Sequence, residues 1–325
     1  MTVSFSLDQL SEARSLVARY VPPTPQYAWP LLGEALGAEV WVKHENYTPT
    51  GAFKMRGGLV YVDRYVRRAS QPSPLIAATR GNHGQSVAFA GRVFGLGVSI
   101  VMPHGNSPDK NDSMRALGAT LIEHGHDFQA AVEHARLLAE ERELHMVPSF
   151  HPDLVLGVAT YAHELFTGAP ELDAVYVPVG LGSGICGLIG VRDLLGLRTE
   201  IIGVVSERAP ATALSFAARR PITTDSANTF MDGVACRTPD PVAIETIVKG
   251  AARIVEVSDD LGAEAVRVLY RTTHSLPEPA GATALAGLLS ERDLQRGKRV
   301  AVVISGGNMD APILAQILAG QTPTV

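Results

Sequence analysis

Short apolar runs alternate along the chain with segments in which apolar residues recur at helical spacing. The runs predict strands at 75–79, 98–102, 120–123, 174–178, 200–205, 253–257 and 299–304. The segments between them predict helices at 82–94, 107–117, 127–142, 185–195, 210–219 and 261–272. Such alternation is typical of βα units, and strands that are apolar throughout are typical of sheets covered on both faces. The pattern therefore predicts an α/β protein built on mostly parallel sheets.

Length and charge narrow the class of protein further. The chain has 325 residues, of which 46% are apolar, and its net charge is −5. This length predicts about two domains of roughly 150 residues each, and the segment 151–165, mixed in pattern, is a candidate connection between them. A negative net charge without a basic block argues against a nucleic-acid or membrane-surface partner.

The amino terminus and the cysteine content indicate a reducing compartment. Asp8 and Glu12 lie where a signal peptide requires a basic stretch followed by an apolar one. No apolar run approaches the ~18 residues of a membrane span. Cys186 and Cys236 are the only cysteines, too few for a disulfide framework or a four-cysteine zinc site. We therefore expect a cytoplasmic protein.

Lys54 is the first candidate for chemistry. It lies in the segment 48–58 among Gly, Ala, Phe and Met, and it is one of only five lysines in a chain rich in arginine. A lysine in apolar surroundings has a lowered pKa and can act as a nucleophile or form a Schiff base. Taken alone, the residue is better interpreted as a lysine whose stem is buried and whose ammonium group reaches water.

The turn Thr-Arg-Gly-Asn-His at 79–83 follows a predicted strand and opens a predicted helix. Free N–H groups at a helix N-terminus favour an anion, and Asn82 adds a side-chain donor. The turn therefore indicates either a carboxylate or phenolate site or an ordinary glycine turn in which Asn82 caps the helix.

Two further glycine-rich segments follow predicted strands. Gly-Leu-Gly-Ser-Gly at 180–184 lets backbone amides approach a phosphate, with the helix dipole behind them. It lacks the spacing of a dinucleotide fingerprint and the lysine of a P-loop, so the phosphate need not belong to a nucleotide. The alternative is a tight turn of small residues that pack a helix on a sheet. Ser305 opens Ser-Gly-Gly-Asn at 305–308 and would point into the same crevice, or serve only as a polar turn residue.

Taken in order, these motifs resemble one family, the pyridoxal-phosphate enzymes of fold type II, and within it the threonine/serine dehydratases and serine racemase. The matching stretches are Ala-Phe-Lys-Met-Arg-Gly (52–57), Thr-Arg-Gly-Asn-His (79–83), Gly-Leu-Gly-Ser-Gly (180–184), Asp-Gly-Val-Ala (232–235), Glu-Pro-Ala-Gly-Ala (278–282) and Ser-Gly-Gly-Asn (305–308). Each motif alone is weak, but six in the same order make the resemblance specific.

The resemblance implies an architecture. It is that of two open, mostly parallel twisted sheets with helices on both faces. The active site would lie between a large cofactor-binding domain, formed by 1–47 and 152–325, and a small domain, formed by 48–151. A homodimer is also implied by the resemblance, although no residue by itself indicates one.

The resemblance also implies roles for individual residues. Lys54 would carry pyridoxal 5'-phosphate as a Schiff base and remove the substrate α-proton. Asn82 would donate to the ring oxygen of the cofactor, meaning the phenolic oxygen attached to its pyridine ring. Ser305 would face the pyridine nitrogen. The other cofactor contacts would come from Phe53, Gly180, Leu181, Gly182, Ser183, Gly184, Gly233 and Glu278. The carboxylate of a small amino-acid substrate would bind to Thr79, Arg80, Gly81, Asn82 and His83.

The neutral Ser305 bears on the type of reaction. Unlike a carboxylate, a serine does not keep the pyridine nitrogen protonated, which favours β-elimination over transamination. The resemblance therefore implies a lyase that dehydrates and deaminates a β-hydroxy-α-amino acid, through an α-carbanion and an aminoacrylate, to a 2-oxo acid and ammonia. Threonine, serine, phenylserine and 3-hydroxyaspartate are the candidate substrates.

Arg80 is the main departure from the family pattern, because the racemase-like members have a serine at this position. A guanidinium stays protonated and is a poor base, so racemase activity is not expected. Arg80 either contacts the substrate through its bidentate fork or turns outward into a surface ion pair.

No metal site is predicted. The stretch aligned with the family's divalent-cation site has Val205 and Ala211 where acidic residues are expected. The histidines at 124, 126 and 134 fall in a predicted turn and on an amphipathic helix, so we interpret them as solvated.

Two other functions remain open on the sequence alone. A β-replacement enzyme of the cysteine-synthase kind would share the fold, but His83 argues against it. A catalytically silent α/β binding module is the other alternative, and the presence of Lys54, Asn82 and Ser305 together argues against it.

Overall fold

A computed structural model describes residues 2–324 of the chain. Within them, ten strands are formed by Gln26–Ala28 (β1), Glu39–His44 (β2), Leu75–Ala78 (β3), Val98–Met102 (β4), Thr120–Glu123 (β5), His145–Met146 (β6), Ala174–Pro178 (β7), Glu200–Ser206 (β8), Arg253–Val257 (β9) and Arg299–Ile304 (β10). The same residues form thirteen α-helices: Leu7–Val17 (α1), Pro30–Leu36 (α2), Lys54–Arg68 (α3), Asn82–Phe94 (α4), Pro108–Ala116 (α5), Phe128–Glu141 (α6), Pro152–Gly168 (α7), Ser183–Leu194 (α8), Ala211–Ala218 (α9), Pro241–Gly250 (α10), Asp259–Thr273 (α11), Pro279–Ser290 (α12) and Ala311–Leu318 (α13).

The strands form two separate sheets. The larger has the order β1-β2-β10-β7-β8-β9, and only the β1–β2 pair is antiparallel. The smaller, of order β5-β4-β3-β6, is parallel throughout. The predicted α/β class with two open, mostly parallel sheets is confirmed. The division into domains at 47/48 and 151/152 stays a prediction, which the confinement of the smaller sheet to residues 75–146 supports.

The predicted strands and helices occur with ends that differ by at most two residues. Side-chain caps explain several helix starts. Ser107 accepts a hydrogen bond from the backbone of Lys110 at the start of α5, and Asp127 accepts one from Ala130 at the start of α6. Across residues 2–324, each helix is too short or too polar to cross a membrane.

The segment 151–165, mixed in pattern, is part of the long helix α7 rather than an irregular connection. Eleven of its residues are buried, including an unbroken run at 153–162. A helix that is covered on nearly all sides has no polar stripe, so it lacks the helical period that reveals an amphipathic helix. α7 packs against α1, α3 and α8 and so lies in the main core.

A compensated network of charges is buried behind α3, the helix that begins at Lys54. Arg56 Nε lies 2.8 Å from Glu45 Oε2, and Arg56 Nη1 lies 2.6 Å from Glu164 Oε1. Lys43 Nζ donates to the same Glu164 carboxylate at 2.6 Å. The side chains of Lys43, Arg56 and Glu45 are fully buried, so each depends on its partners for its charge. The network thereby ties α3 to β2 and α7.

Arg56→Met tests the contribution of this network to stability. It removes the cation between two carboxylates and leaves the buried Glu45 without its ion-pair partner. We expect the free energy of unfolding to fall by about 3–5 kcal/mol in urea denaturation. Arg67→Met is the matched control on the same helix. Its i,i+4 pair with Asp63 is exposed on the arginine side, and its loss costs no more than about 0.5 kcal/mol. Equal losses in the two variants would contradict this account.

Candidate active site

The four sequence motifs lie at the carboxyl ends of four strands. Residues 48–54 follow β2, 79–83 follow β3, 180–184 follow β7 and 305–308 follow β10. This is the edge at which open α/β sheets bind ligands. The two sheets meet there, because the 79–83 turn is hydrogen-bonded to the 305–308 loop through the side chain of Asn82.

The loop that leads into α3 is paired with the loop that follows β10. Phe53 N donates to Ser305 O at 3.0 Å, and Gly307 N donates to Gly51 O at 2.8 Å. Between these bonds, Ala52 forms a β-bridge with Gly306. The pairing fixes the backbone immediately before Lys54 against the end of the central strand.

Lys54 is the first residue of α3, and its amine lies in a desolvated position. Burial lowers its pKa from the ordinary 10.5 to about 8, and the negative charge of Glu278 opposes this shift only in part. Its Nζ lies 5.1 Å from the centroid of the Phe53 ring, and Ser86 Oγ donates to its carbonyl at 2.6 Å. At pH 7 on the order of a tenth of such amines are neutral, far more than for an ordinary lysine. The structure therefore favours the nucleophile over the lysine that reaches water.

Thr79 organises the turn that follows β3. Its hydroxyl accepts hydrogen bonds from Gly81 N at 2.9 Å and from Gly84 N at 3.3 Å. The residue that caps α4 is Gly81, whereas Asn82 is the first residue within the helix. Asn82 is therefore not the helix cap, and its side chain is used elsewhere.

The Asn82 amide is held from both ends. Its Nδ2 donates to Glu278 Oε1 at 2.6 Å, and its Oδ1 accepts from Asn308 Nδ2 at 2.8 Å. Glu278 is buried, and burial together with the charge of Asp232 raises its pKa to about 7, against the opposing effect of Lys110. Lys110 and the hydrogen bond from Asn82 favour the carboxylate form of this group.

Lys110 extends this cluster from α5. Its Nζ lies 2.5 Å from Asp232 Oδ2 and 3.7 Å from Glu278 Oε2. Burial disfavours the ammonium form, but Asp232 and Glu278 more than offset this and raise the pKa of Lys110. A Cβ at Gly81 would lie 2.4 Å from Lys110 Cδ, so the turn leaves no room for a side chain there. Lys110 therefore links the small sheet's helices to Asp232 across the cleft.

The 180–184 loop forms a cradle of backbone amides in front of α8. Gly182 has a φ of +100°, which favours glycine. A Cβ at Gly180 would lie 2.4 Å from Gly233 O, so the 232–235 segment packs closely on this loop. Within residues 2–324, the amides of Gly180, Leu181, Gly182, Ser183 and Gly184 donate to no protein group. Free amides at a helix N-terminus are what a phosphate requires.

Phe53 lies beside this cradle, and Ser305 and His83 complete the predicted set. The Phe53 ring packs edge-on against Tyr161, with centroids 6.1 Å apart, and Tyr161 donates to Gly184 O at 3.3 Å. The Ser305 hydroxyl has no hydrogen-bond partner in the part of the chain that the structure describes. His83 is buried, and burial lowers its pKa to about 3, so its ring is neutral.

Arg80 is exposed and lines a cavity of about 230 Å³ at the mouth of the site. Phe230, Met309, Ile313 and Lys110 also line this cavity. Among residues 2–324 Arg80 forms no ion pair and no side-chain hydrogen bond, so the surface ion pair that the sequence left open is not formed.

Two of the three histidines at 124, 126 and 134 contact each other. The rings of His124 and His134 stack with centroids 3.8 Å apart. In the part of the chain that the structure describes, no three His, Cys, Asp or Glu side chains are grouped so that they could hold a metal ion.

These groups fit pyridoxal phosphate. The cleft offers an amine of lowered pKa, an amide donor, a cradle of free backbone amides and a neutral hydroxyl. A fold with two parallel sheets and this set of groups defines a pyridoxal-phosphate enzyme of fold type II. A family model described as "Pyridoxal-phosphate dependent enzyme" matches residues 17–306, and the chain belongs to this family. The predicted family and cofactor are confirmed.

The chain is similar to several amino-acid ammonia-lyases. An L-threonine ammonia-lyase of Thermotoga maritima is 31% identical over 96% of this chain and 78% of its own. An L-threo-3-hydroxyaspartate ammonia-lyase of Saccharomyces cerevisiae is 28% identical over 97% of both chains. The structure of threonine deaminase isoform 2 from Solanum lycopersicum superimposes with a TM-score of 0.89 at 26% identity, covering 98% of this chain and 95% of that one.

Several residues of the cleft carry no role in the sequence interpretation. Asn308 belongs to a quoted motif, but only its contact with Asn82 shows what it does. Lys110 is one of only five lysines, and this scarcity of lysine in the chain is the signal that could have singled it out. Asp232 also belongs to a quoted motif, but its contact with Lys110 could not be read from the sequence, and Tyr161 gave no signal, because these contacts join residues far apart in the chain.

The lowered pKa of Lys54 predicts the pH dependence of cofactor attachment. Only the neutral amine attacks an aldehyde. The rate at which cofactor-free protein combines with added pyridoxal phosphate, followed by the visible absorption band that the bound cofactor gives, should therefore rise with pH and level off above about pH 8. An ordinary lysine would give a rate that still rises toward pH 10. Stopped-flow absorbance measures this rate. Lys54→Arg should abolish the band, whereas Lys249→Arg, on the exposed side of α10, should leave the profile unchanged. A midpoint near pH 10 would contradict the desolvated position.

Proposed function

We propose that the protein is an ammonia-lyase that uses pyridoxal phosphate to dehydrate and deaminate a β-hydroxy-α-amino acid, giving a 2-oxo acid and ammonia. The observation that carries the proposal is the convergence of a desolvated Lys54 amine, the Asn82 donor and the 180–184 amides on one cleft. The activities of the threonine and 3-hydroxyaspartate ammonia-lyases to which the chain is similar support the same reaction class.

Each group contributes a separate function. The Lys54 amine would hold the cofactor and would take the proton from the substrate's α-carbon. The amides of the 79–83 turn would bind and orient the substrate carboxylate. The 180–184 amides would hold the phosphate, and Phe53, Gly233 and Glu278 would line the ring. The bound cofactor supplies an electron sink for the pair left when the α-proton departs.

Ser305 and Arg80 bear on which reaction follows the loss of the α-proton. A neutral hydroxyl at the ring nitrogen favours loss of the β-hydroxyl over transfer of the amino group. Arg80 cannot serve as a second base, so the α-proton exchanges on the Lys54 side alone and racemisation is not supported. The unpaired guanidinium faces the cavity into which the substrate side chain would extend.

The proposed assembly is a homodimer, as the family resemblance implies. A second copy would cover an exposed aromatic cluster on the β1 edge of the large sheet. Tyr27 and Tyr47 are 54% and 55% exposed, and both pack on His44 between them. A cytoplasmic location stays a prediction from the sequence.

The reaction is tested with a panel of substrates. Purified protein with pyridoxal phosphate should show a visible band near ~410–420 nm. One of threonine, serine, phenylserine and 3-hydroxyaspartate should then yield equal amounts of 2-oxo acid and ammonia. Lys54→Ala should lower kcat by at least about 10²–10⁴-fold, because it removes the base. Consumption of a β-substituted amino acid with a thiol, without ammonia, would instead identify a β-replacement enzyme, and the absence of any band would indicate a silent module.

Arg80→Ala tests the role of the cavity. Loss of a charge-assisted contact with the substrate should lower kcat/KM for the best substrate by about 10–100-fold. The dissociation constant of the cofactor should not change, because Arg80 is not among the groups proposed to hold it. Arg115→Ala, which removes an exposed arginine paired with Asp112 on α5, is the control. Unchanged kinetics on the best substrate would exclude a substrate contact.

A further inference from the structure

A chain of hydrogen bonds passes through the side chain of Asn82. It starts at the backbone carbonyl of Thr50, which accepts from Asn308 Nδ2 at 2.8 Å. The same Nδ2 donates to Asn82 Oδ1 at 2.8 Å. Asn82 Nδ2 then donates to Glu278 Oε1 at 2.6 Å. This series of hydrogen bonds joins the loop before Lys54 to the start of α12.

The Thr50 carbonyl fixes which atom donates and which atom accepts in each of these hydrogen bonds. A carbonyl oxygen only accepts, so the atom of Asn308 that faces it is the amide nitrogen. That nitrogen also faces Asn82, so the facing atom of Asn82 is its oxygen. The nitrogen of Asn82 consequently lies on the side of Glu278, whose Oε1 accepts one of its two hydrogens. One hydrogen of Asn82 Nδ2 is left for a ligand in the cleft.

We infer that Asn308 and Glu278 are positioning residues that fix the orientation of the Asn82 amide, so that it presents a donor rather than an acceptor to the ring oxygen of the cofactor. This inference rests on the proposed contact between Asn82 and that oxygen. The two ends of an asparagine amide have nearly the same shape, so packing alone does not select between them. The Thr50 carbonyl, which can only accept, selects the orientation through Asn308, and the carboxylate form of Glu278 accepts from the other end of the Asn82 amide.

Tight packing holds both positioning residues in place. A Cβ at Gly51 would lie 2.5 Å from Asn308 Oδ1, and a Cβ at Gly306 would lie 2.3 Å from Glu278 Oε1. The backbone of Glu278 also donates to Gly306 O at 3.0 Å. The glycines of the paired loops therefore allow Asn308 and Glu278 to approach Asn82 closely, and they leave little room for other side-chain positions.

The orientation has a chemical consequence. A donor to the ring oxygen stabilises its ionised form, whereas an acceptor in the same place opposes it. A reversed Asn82 would also direct its oxygen at the Glu278 carboxyl group. The orientation of one amide thus affects both the ionisation state of the bound cofactor and the strength with which it is held.

Asn308→Asp tests the inference with a nearly isosteric change. Its carboxylate accepts but does not donate, so it attracts Asn82 Nδ2 and turns Asn82 Oδ1 toward the cofactor. The visible band should lose intensity to a band at shorter wavelength, and the dissociation constant of the cofactor should rise about 5–10-fold, the value of one hydrogen bond. Asn308→Ala, which removes the donor without adding an acceptor, should give a smaller shift. Asn228→Asp, an exposed position on another cavity, should give none.

The same substitution made in the Asn82→Ala variant shows whether Asn308 acts through Asn82. In Asn82→Ala, the further change Asn308→Asp should leave the band where it is, because no amide remains to be turned. A further shift of the band in this background would overturn the inference. If Asn82→Ala itself leaves the band unchanged, the proposed role of Asn82 fails. If Asn82→Ala shifts the band but Asn308→Asp does not, only the positioning role is wrong. Thermal melting of each variant separates these outcomes from unfolding.

Discussion

The hydrogen-bonded pairing of residues 51–53 with 305–307 is the contact on which the site depends. It joins the backbone before Lys54 to the end of β10, a central strand of the large sheet. The rigid sheet therefore sets the position of the amine, rather than a mobile loop. The same pairing brings Asn308 against Asn82, so that one contact places both Lys54 and Asn82.

Around this contact, buried charges are compensated unequally. Behind α3, Arg56 and Lys43 face Glu45 and Glu164, so two cations meet two anions at short distance. In the cleft, the Lys54 amine has only the partial influence of Glu278, and its pKa falls. Two carboxylates hold Arg56 in its charged form. Burial lowers the pKa of Lys43 despite Glu45 and Glu164, and it lowers the pKa of Lys54, which has Glu278 as its opposing charge, to about 8.

Much of this arrangement could be predicted from the sequence, because it depends on local pattern. The strand β3, the turn 79–83 and the helix α4 follow one another in the order that apolar runs and glycines indicate. α7 and α12 lack such a signal, because helices that are buried nearly all round have no polar face. The contacts of Asn82 with Asn308 and Glu278 join residues about two hundred positions apart, which no local pattern reveals. The resemblance placed these residues in one site, but only the structure shows how they hold one another.

The central claim is that Lys54, and no other lysine, carries the cofactor. Borohydride reduction of the protein with bound pyridoxal phosphate converts a Schiff base into a stable bond, and peptide mass mapping then locates the modified lysine. The chain has five lysines, at 43, 54, 110, 249 and 298, so the assignment is unambiguous. The account predicts the phosphopyridoxyl group on Lys54 alone. A label on Lys110 or Lys43, or no label after reduction of protein that shows the visible band, would contradict it.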